Sequence, residues 1–220
     1  NIIISILFII LLSNTVGALE NLSTYVEVDP TSKLTVTPTN VKVATETTDA
    51  SNLYINLSKN ITTFNSTFDF NVTTMSGDSG VYFGLGDCNS NPSWTSWGTC
   101  NATIVRIVAS SGTLGIQPMT FANGVATYPV STSISYSLNT RYYALLERNN
   151  TNTTIYIFSD SARTTQIAGS PLSIGVVQTT NWNKFFVANN MVQYAGNRAY
   201  NISNVSLIST SYPTSPIKII

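Results

Sequence analysis

Histidine is absent from this 220-residue chain, and charged residues make up only 9% of it. Without histidine the chain lacks the side chain that most often serves as a general base and metal ligand near neutral pH. Its ten basic and ten acidic residues balance to a formal net charge of zero, so no basic surface for nucleic acid phosphates is expected. The composition therefore argues against nucleic acid as a partner, and we expect no cofactor.

Acidic residues are too few and too scattered for a glycosidase, which holds two carboxylates across a cleft. From Lys33 onward the acids are Glu46, Asp49, Asp69, Asp78, Asp87, Glu147 and Asp160. No candidate strand carries closely alternating acids, so we expect no catalytic residues and no enzymatic activity. Asp78, Asp87 and Asn89 offer oxygen ligands for calcium. The SGDSG stretch around Asp78 is first a turn signal, however, and no metal site is predicted.

Only two cysteines are present, and they bracket the stretch CNSNPSWTSWGTC. A disulfide between Cys88 and Cys100 would close this loop; two reduced thiols are the alternative. The loop carries Trp94 and Trp97, whose rings are candidate sugar contacts. The alternative is that these rings pack over the end of the domain or against a neighbouring subunit.

Asparagine, serine and threonine are abundant, and the acceptor pattern for N-glycosylation recurs along the chain. The acceptors are Asn21, Asn56, Asn60, Asn65, Asn71, Asn101, Asn149, Asn152, Asn201 and Asn204. Their density predicts an exported chain with covalent N-glycans.

The first residues form the longest hydrophobic run of the chain, and beyond it apolar residues recur at helical intervals. The residues expected on this helix are Ile2, Ile3, Ile4, Ile6, Leu7, Phe8, Ile9, Ile10, Leu11, Leu12, Val16, Leu19, Leu22 and Val26. The spacing predicts a hydrophobic assembly helix over 1–28, followed by an extracellular domain over 29–220. An uncleaved signal anchor or a signal peptide ending near Ala18 are the alternatives.

With Asn1-Ile-Ile-Ile-Ser-Ile-Leu-Phe-Ile-Ile-Leu-Leu at its start, the chain resembles an archaeal type IV pilin. The resemblance implies a cell-surface filament in which the chain binds copies of itself. Helices would form the filament core, and they would lie in the membrane before assembly. Glycosylated heads would form the outer sheath, and contacts with surfaces or glycans would be secondary.

From Lys33 onward, short runs rich in β-branched and aromatic residues alternate with Gly, Asn, Ser and Pro. The fold class predicted for the whole chain is therefore mainly β, an N-terminal α-helix followed by an antiparallel β-sandwich. The segments FDFNV from Phe68, VYFGLG from Val81, RYYALLER from Arg141, IYIF from Ile155 and YNISNVSL from Tyr200 resemble a concanavalin A-like jelly roll. That fold occurs in lectins, laminin-G-like modules and some glucanases.

Of the three functions that the sequence leaves open, the filament subunit is the one we predict, and the other two are alternatives. The first is the filament subunit held by its helix. The second is a secreted carbohydrate-binding, lectin-like module whose first residues are a spent signal peptide. The third is a filament subunit held by strand donation, using either 34–45 or the tail 213–220.

Overall fold

A computed structural model of the chain describes residues 18–47, 51–88, 100–110, 112–129, 132–175, 182–192 and 196–209. These residues form two antiparallel sheets packed face to face, which confirms the predicted β-sandwich. No described helix is long and apolar enough to cross a membrane.

Within the described residues, seven strands form one sheet in the spatial order β13-β12-β11-β5-β15-β3-β2. Their bounds are β2 Leu34–Thr37, β3 Asn40–Glu46, β5 Phe64–Met75, β11 Arg141–Arg148, β12 Asn152–Phe158, β13 Leu172–Gly175 and β15 Arg198–Ser209. We call this the seven-stranded sheet.

The remaining described strands form the eight-stranded sheet, in the order β1-β4-β14-β6-β7-β8-β10 with β9 paired to β8. Their bounds are β1 Val26–Val28, β4 Asn52–Ile61, β6 Ser79–Gly86, β7 Ala102–Ser110, β8 Thr113–Ala122, β9 Val125–Thr127, β10 Ile134–Ser135 and β14 Trp182–Val192.

Period-two alternation explains how the core between the sheets forms. In β5 the side chains of Phe68, Phe70 and Val72 are buried in the core, while Asn71 between them faces outward. Phe68 stacks on Phe83 of the opposite sheet with ring centroids 3.9 Å apart. Full burial of such a side chain contributes about 1.5–3 kcal/mol, so aromatic contacts between the sheets are a main source of cohesion.

The prediction of a helix over 1–28 is wrong wherever the structure describes it. Residues 1–17, with the predicted assembly positions from Ile2 to Val16, lie outside the described residues. Within 18–28 the chain forms a single 3₁₀ turn at Leu22–Thr24 and then strand β1. The backbone N–H of Glu20 donates to the carbonyl of Val205 over 2.7 Å, which ties this segment to β15.

The burial of this segment shows why the helical spacing misled. Leu22 is fully buried and Tyr25 nearly so, both in the sandwich core, whereas Leu19 is 53% and Val26 40% exposed. The three spaced apolar residues therefore do not share one buried face. Asn21 favours the turn instead, because its side-chain oxygen accepts a hydrogen bond from the N–H of Ser23.

The segment 34–45, considered above for strand donation, pairs within its own chain. It forms β2 and most of β3, which are antiparallel neighbours at the edge of the seven-stranded sheet. The tail 213–220 lies outside the described residues.

Candidate functional site

A row of polar side chains crosses the outer face of the seven-stranded sheet. Lys42 of β3 is the register partner of Asn201 in β15, and Asn201 is the partner of Asn71 in β5. Asn71 is in turn the partner of Arg141 in β11. Directly paired residues lie on the same face of a sheet, so two cations flank two amides in one line.

This row borders a shallow groove of about 390 Å³, which we call the amide groove. It is lined by Lys42, Val43, Ala44, Thr45, Asn71, Thr73, Ala199, Tyr200 and Asn201. Lys42, Thr45 and Thr73 are exposed, and the two asparagines are half-buried. The groove therefore presents an ammonium, hydroxyls and amides, all groups that bind polar ligands.

Both asparagines in the groove have an unsatisfied acceptor. The side-chain Oδ1 atoms of Asn71 and Asn201 are buried, and neither has a hydrogen-bond partner. A buried acceptor without a donor costs about 1–3 kcal/mol. A half-turn of either amide about its last torsion exchanges its oxygen and its nitrogen, and both residues line the groove that a ligand hydroxyl would enter.

Arg141, at the end of the row, is held by a buried carboxylate. Asp69 is 3% exposed, and its Oδ2 accepts from Arg141 Nη2 over 2.8 Å and from Asn204 Nδ2 over 2.7 Å. Its Oδ1 accepts from Arg163 Nη2 over 2.9 Å. One acid thus meets two guanidinium groups and an amide. The cluster carries net positive charge and fixes Arg141 beside the amide groove.

Aromatic side chains continue the same face beyond the cluster. The guanidinium carbons of Arg141 and Arg163 lie 5.7 Å and 5.9 Å from the ring centroid of Tyr143. Tyr156 is half-exposed and donates a hydrogen bond to Glu147. Burial, with smaller contributions from the charge and hydrogen bond of Glu147, raises the pKa of Tyr156, which stays a neutral donor at physiological pH.

The carboxylates of this face are not arranged as a glycosidase pair. Asp69 is the register partner of Tyr143, and Glu147 lies four residues further along the same strand. That separation is about 13 Å at the rise of a β-strand. Carboxylates of glycosidases lie about 5–9.5 Å apart, so these two do not form such a pair.

On the outer face of the eight-stranded sheet, by comparison, large side chains are buried. Tyr82, Ile104 and Phe186 lie on this face, and all three are fully buried. Tyr82, Arg106 and Gln117 are register neighbours across β6, β7 and β8, so a polar row crosses this sheet as well. Gln117 is only 7% exposed. Its row is therefore largely buried, and we place the candidate site on the open face of the other sheet.

The disulfide between Cys88 and Cys100 is present, as the sequence predicted. Beside it, Asp87 accepts from the backbone N–H of Asn101 over 2.6 Å and from its amide Nδ2 over 2.8 Å. Asp87 lies near both sulfur atoms. The sulfurs are bonded to each other, however, so this group is not a metal site. Trp94 and Trp97, the predicted sugar contacts, lie outside the described residues.

The predicted glycosylation acceptors differ in how accessible they are. Asn21, Asn56, Asn149 and Asn152 are exposed. Asn65, Asn71, Asn101, Asn201 and Asn204 are half-buried. Asn60 lies in β4. The amides of Asn101 and Asn204 donate to Asp87 and Asp69, so these two acceptors are already engaged.

Sequence reasoning missed the amide groove and the cluster around Asp69. A local signal was present, because Asp69 and Asn71 alternate with Phe68, Phe70 and Val72 in one strand. Alternation marks both as outward-facing. Their neighbours in β3, β11 and β15 come from distant parts of the chain, and only the sheet order brings them together.

No protein-family model matches this chain, and no curated protein matches it either. Among solved structures it is similar to the exoplasmic/lumenal domain of VIP36 in a Ca²⁺- and Man3GlcNAc-bound form. The TM-score is 0.57 at 8% identity, over 87% of this chain and 85% of that chain. It is also similar to a Saccharomyces cerevisiae protein of unknown function, with a TM-score of 0.53 and 12% identity over 87% of this chain and 100% of that chain.

A third similar structure is alginate lyase A1-II′, with a TM-score of 0.48 and 16% identity over 78% of this chain and 80% of that chain. Likeness at that level carries no argument about activity. The resemblance to a type IV pilin is wrong: the described start of the chain forms a 3₁₀ turn and a strand of the sandwich, not a hydrophobic helix. What the comparisons establish is the fold, a β-sandwich shared with a glycan-bound lumenal domain.

Proposed function

We propose that this protein is a secreted or lumenal carbohydrate-binding module without catalytic activity, and that glycans bind in the amide groove. The observation that carries the proposal is the pair of neighbouring asparagines, Asn71 and Asn201, whose buried carbonyl oxygens have no donor at the edge of an open groove. Sugar hydroxyl groups both donate and accept hydrogen bonds, so they complement side-chain amides.

Two further observations support the proposal. The VIP36 domain, which has this fold, is bound to Man3GlcNAc in its structure. The disulfide between Cys88 and Cys100 fits an oxidising compartment, where secreted and lumenal proteins fold.

The shape of the groove indicates weak binding that depends on hydrogen bonds. It is shallow, and the polar side chains of its lining stand beside the apolar side chains of Val43, Ala44 and Ala199. Deep apolar pockets bury most of a ligand, whereas an open groove leaves one side of a sugar chain in water. We expect a single site of modest affinity. The apparent affinity should rise when the ligand is a polymer that repeats the bound sugar unit.

The proposed function requires Asn71 and Asn201 to be unmodified, although both match the glycosylation pattern. A glycan on either amide nitrogen would occupy the groove itself. The binding test therefore uses protein from a bacterial host that does not attach N-glycans.

The test is titration of a panel of soluble neutral and acidic oligosaccharides, followed by isothermal calorimetry. Asn71→Ala and Asn201→Ala should each abolish or strongly weaken the binding seen with the unchanged protein. Asn56→Ala, an exposed asparagine on the other sheet, is the matched control and should bind normally. Unchanged binding in both groove variants would contradict the proposal.

A parallel pair of variants separates the groove from the disulfide loop. If Trp94→Ala and Trp97→Ala abolish binding while the groove variants do not, the sugar is held by the loop, as the alternative from the sequence predicts.

A further inference from the structure

Resting on the proposed function, we infer that the amide groove selects acidic polysaccharides, whose carboxylate or sulfate groups are bound by Lys42 and Arg141. Lys42 is exposed, and no described residue accepts a hydrogen bond or ion pair from its ammonium group. A cation beside an open polar groove, with no acid among the described residues paired to it, can bind an anionic group.

Arg141 is partly committed to the fold and partly available. Its Nη2 donates to Asp69 and to the hydroxyl of Ser203, at 2.8 Å and 3.0 Å. No other atom of this guanidinium bonds to a described residue, and half of the side chain is exposed to solvent. Asp69 therefore orients the group while its remaining N–H donors face outward. Arginine is well suited to bind carboxylate or sulfate oxygens in this way.

The spacing of the row suits a chain of sugars. Lys42 and Arg141 lie on strands separated by three inter-strand steps, about 14 Å in all. Between them stand Asn201 and Asn71, with their unsatisfied carbonyl oxygens. Hydroxyl groups in the middle of the ligand and anionic groups at both ends would match this order of donors and acceptors.

The acids around the groove do not cancel these cations. Asp69 is shared by Arg141 and Arg163, and the exposed carboxylate of Asp160 is engaged by the amides of Thr164 and Thr165. Among the described residues around the row, the three cations Lys42, Arg141 and Arg163 exceed the two acids Asp69 and Asp160 by one.

Two further acids of this sheet are placed where they cannot neutralise the cations of the row. Glu147 lies six residues along β11 from Arg141, about 20 Å away. Glu46 of β3 is buried inside the sandwich and paired with Arg198 over 3.7 Å.

The test compares polymers that differ only in charge, again with protein free of N-glycans. Dextran sulfate is matched against neutral dextran of the same length, and polygalacturonate against its methyl ester. The expected result is that each charged polymer binds at least about tenfold more tightly than its neutral partner, with affinity falling as salt is raised. The two pairs distinguish sulfate from carboxylate as the preferred group.

Variants then test whether charged polymers bind specifically in the groove or by general ion exchange with any cation of the surface. Lys42→Gln should weaken binding of the charged polymer by about fivefold, which corresponds to the loss of one exposed charge contact. Because the ammonium group of Lys42 makes no described hydrogen bond or ion pair, this variant is expected to fold normally. Lys184→Gln removes one charge from the eight-stranded sheet, together with a 2.7 Å hydrogen bond from its ammonium group to the carbonyl of Cys88, and should leave binding unchanged. Asn201→Ala should weaken binding without any change of charge.

The outcomes are distinct. Equal, salt-independent binding of charged and neutral polymers overturns the acidic preference and leaves the proposed function standing. Binding of charged polymers that falls equally with Lys42→Gln and Lys184→Gln, and is insensitive to Asn201→Ala, shows mere ion exchange and overturns the inference. No binding to any of the four polymers or the oligosaccharide panel overturns the proposed function itself.

Discussion

The guanidinium group of Arg148 lies 4.9 Å from the ring centroid of Trp182, and this contact joins the two sheets of the sandwich. Arg148 ends β11 of the seven-stranded sheet, and Trp182 begins β14 of the eight-stranded sheet. Both side chains are almost completely buried. Arg148 also donates to the hydroxyls of Thr103 and Thr153, each over 3.3 Å. Its pKa is lowered by burial to about 10, so the group remains a cation at neutral pH.

Arg148→Ala should destabilise the protein by about 3 kcal/mol, because it removes the contact with Trp182, two hydrogen bonds and the volume of a buried side chain. Arg148→Lys keeps the charge but loses the planar stacking, and a smaller loss of about 1–2 kcal/mol is expected. Urea unfolding followed by tryptophan fluorescence measures both. A loss below 1 kcal/mol for the alanine variant would contradict the role given to this contact.

Asp69→Asn should cost about 2 kcal/mol, because Arg141 and Arg163 lose their charge-assisted hydrogen bonds to one carboxylate. The measurement is the free energy of unfolding in urea at neutral pH. Asp160→Asn is the control: that carboxylate is exposed and accepts only from its own turn, so no comparable loss is expected. Equal losses in the two variants would show that Asp69 has no special structural role.

The pKa of Glu20 predicts that replacing this residue changes the stability of the protein by an amount that depends on pH. Burial raises the pKa of Glu20, although hydrogen bonds from Tyr25 and from the backbone of Leu207 oppose the shift. The folded state therefore holds this proton more tightly than the unfolded state. The contribution of Glu20 to folding stability is fully present below the unfolded-state pKa of about 4.3. It is lost as the pH rises through the pKa of the folded state.

Glu20→Gln removes the charge and keeps an acceptor for Tyr25. We expect the variant to be more stable than the unchanged protein at pH 7 and equally stable near pH 3, with thermal unfolding measured across that range. A variant that is less stable at pH 7 would show that the charged carboxylate stabilises the fold.

The disulfide should stabilise the sandwich by about 3 kcal/mol, the value expected for so short a loop. Both sulfurs are buried where β6 ends and β7 is about to begin. Replacing Cys88 and Cys100 with serine should lower the melting temperature to that of the reduced unchanged protein. Reductant should have no effect on the double variant, and a melting temperature that does not respond to reductant in the unchanged protein would contradict the prediction.

The glycosylation acceptors should be occupied unequally in protein from a host that glycosylates folded chains. Asn149 is exposed, and its amide nitrogen makes no described bond, so it should be modified. Asn204 should stay unmodified, because its amide nitrogen donates to buried Asp69. Peptide mass spectrometry after enzymatic deglycosylation reads out each site, and high occupancy at Asn204 would contradict this order.

Much of the sandwich could be predicted from the sequence, because alternate residues of a strand lie on opposite faces of the sheet. The segment from Phe64 to Met75 and the segment from Arg141 to Arg148 both show this alternation. The disulfide was also predictable, since a chain with only two cysteines offers only one internal pairing.

The start of the chain was not predictable from spacing alone. Intervals of three and four residues among Leu19, Leu22 and Val26 fit a helix, yet burial of Leu22 and Tyr25 between the sheets fixes a turn and a strand instead. Local periodicity indicates which residues of a segment lie on one face. Which face is buried depends on the segments that pack against it, and these come from other parts of the chain.

By itself, then, the sequence determined the alternating strands, the low charge and the absence of histidine, and it predicted the disulfide. Only the tertiary structure decided that Lys42, Asn201, Asn71 and Arg141 stand in one row, because cross-strand neighbours depend on strand order and register. A shift of one residue in any of these strands would turn its side chain to the opposite face. The groove therefore exists only as a property of the folded sheet.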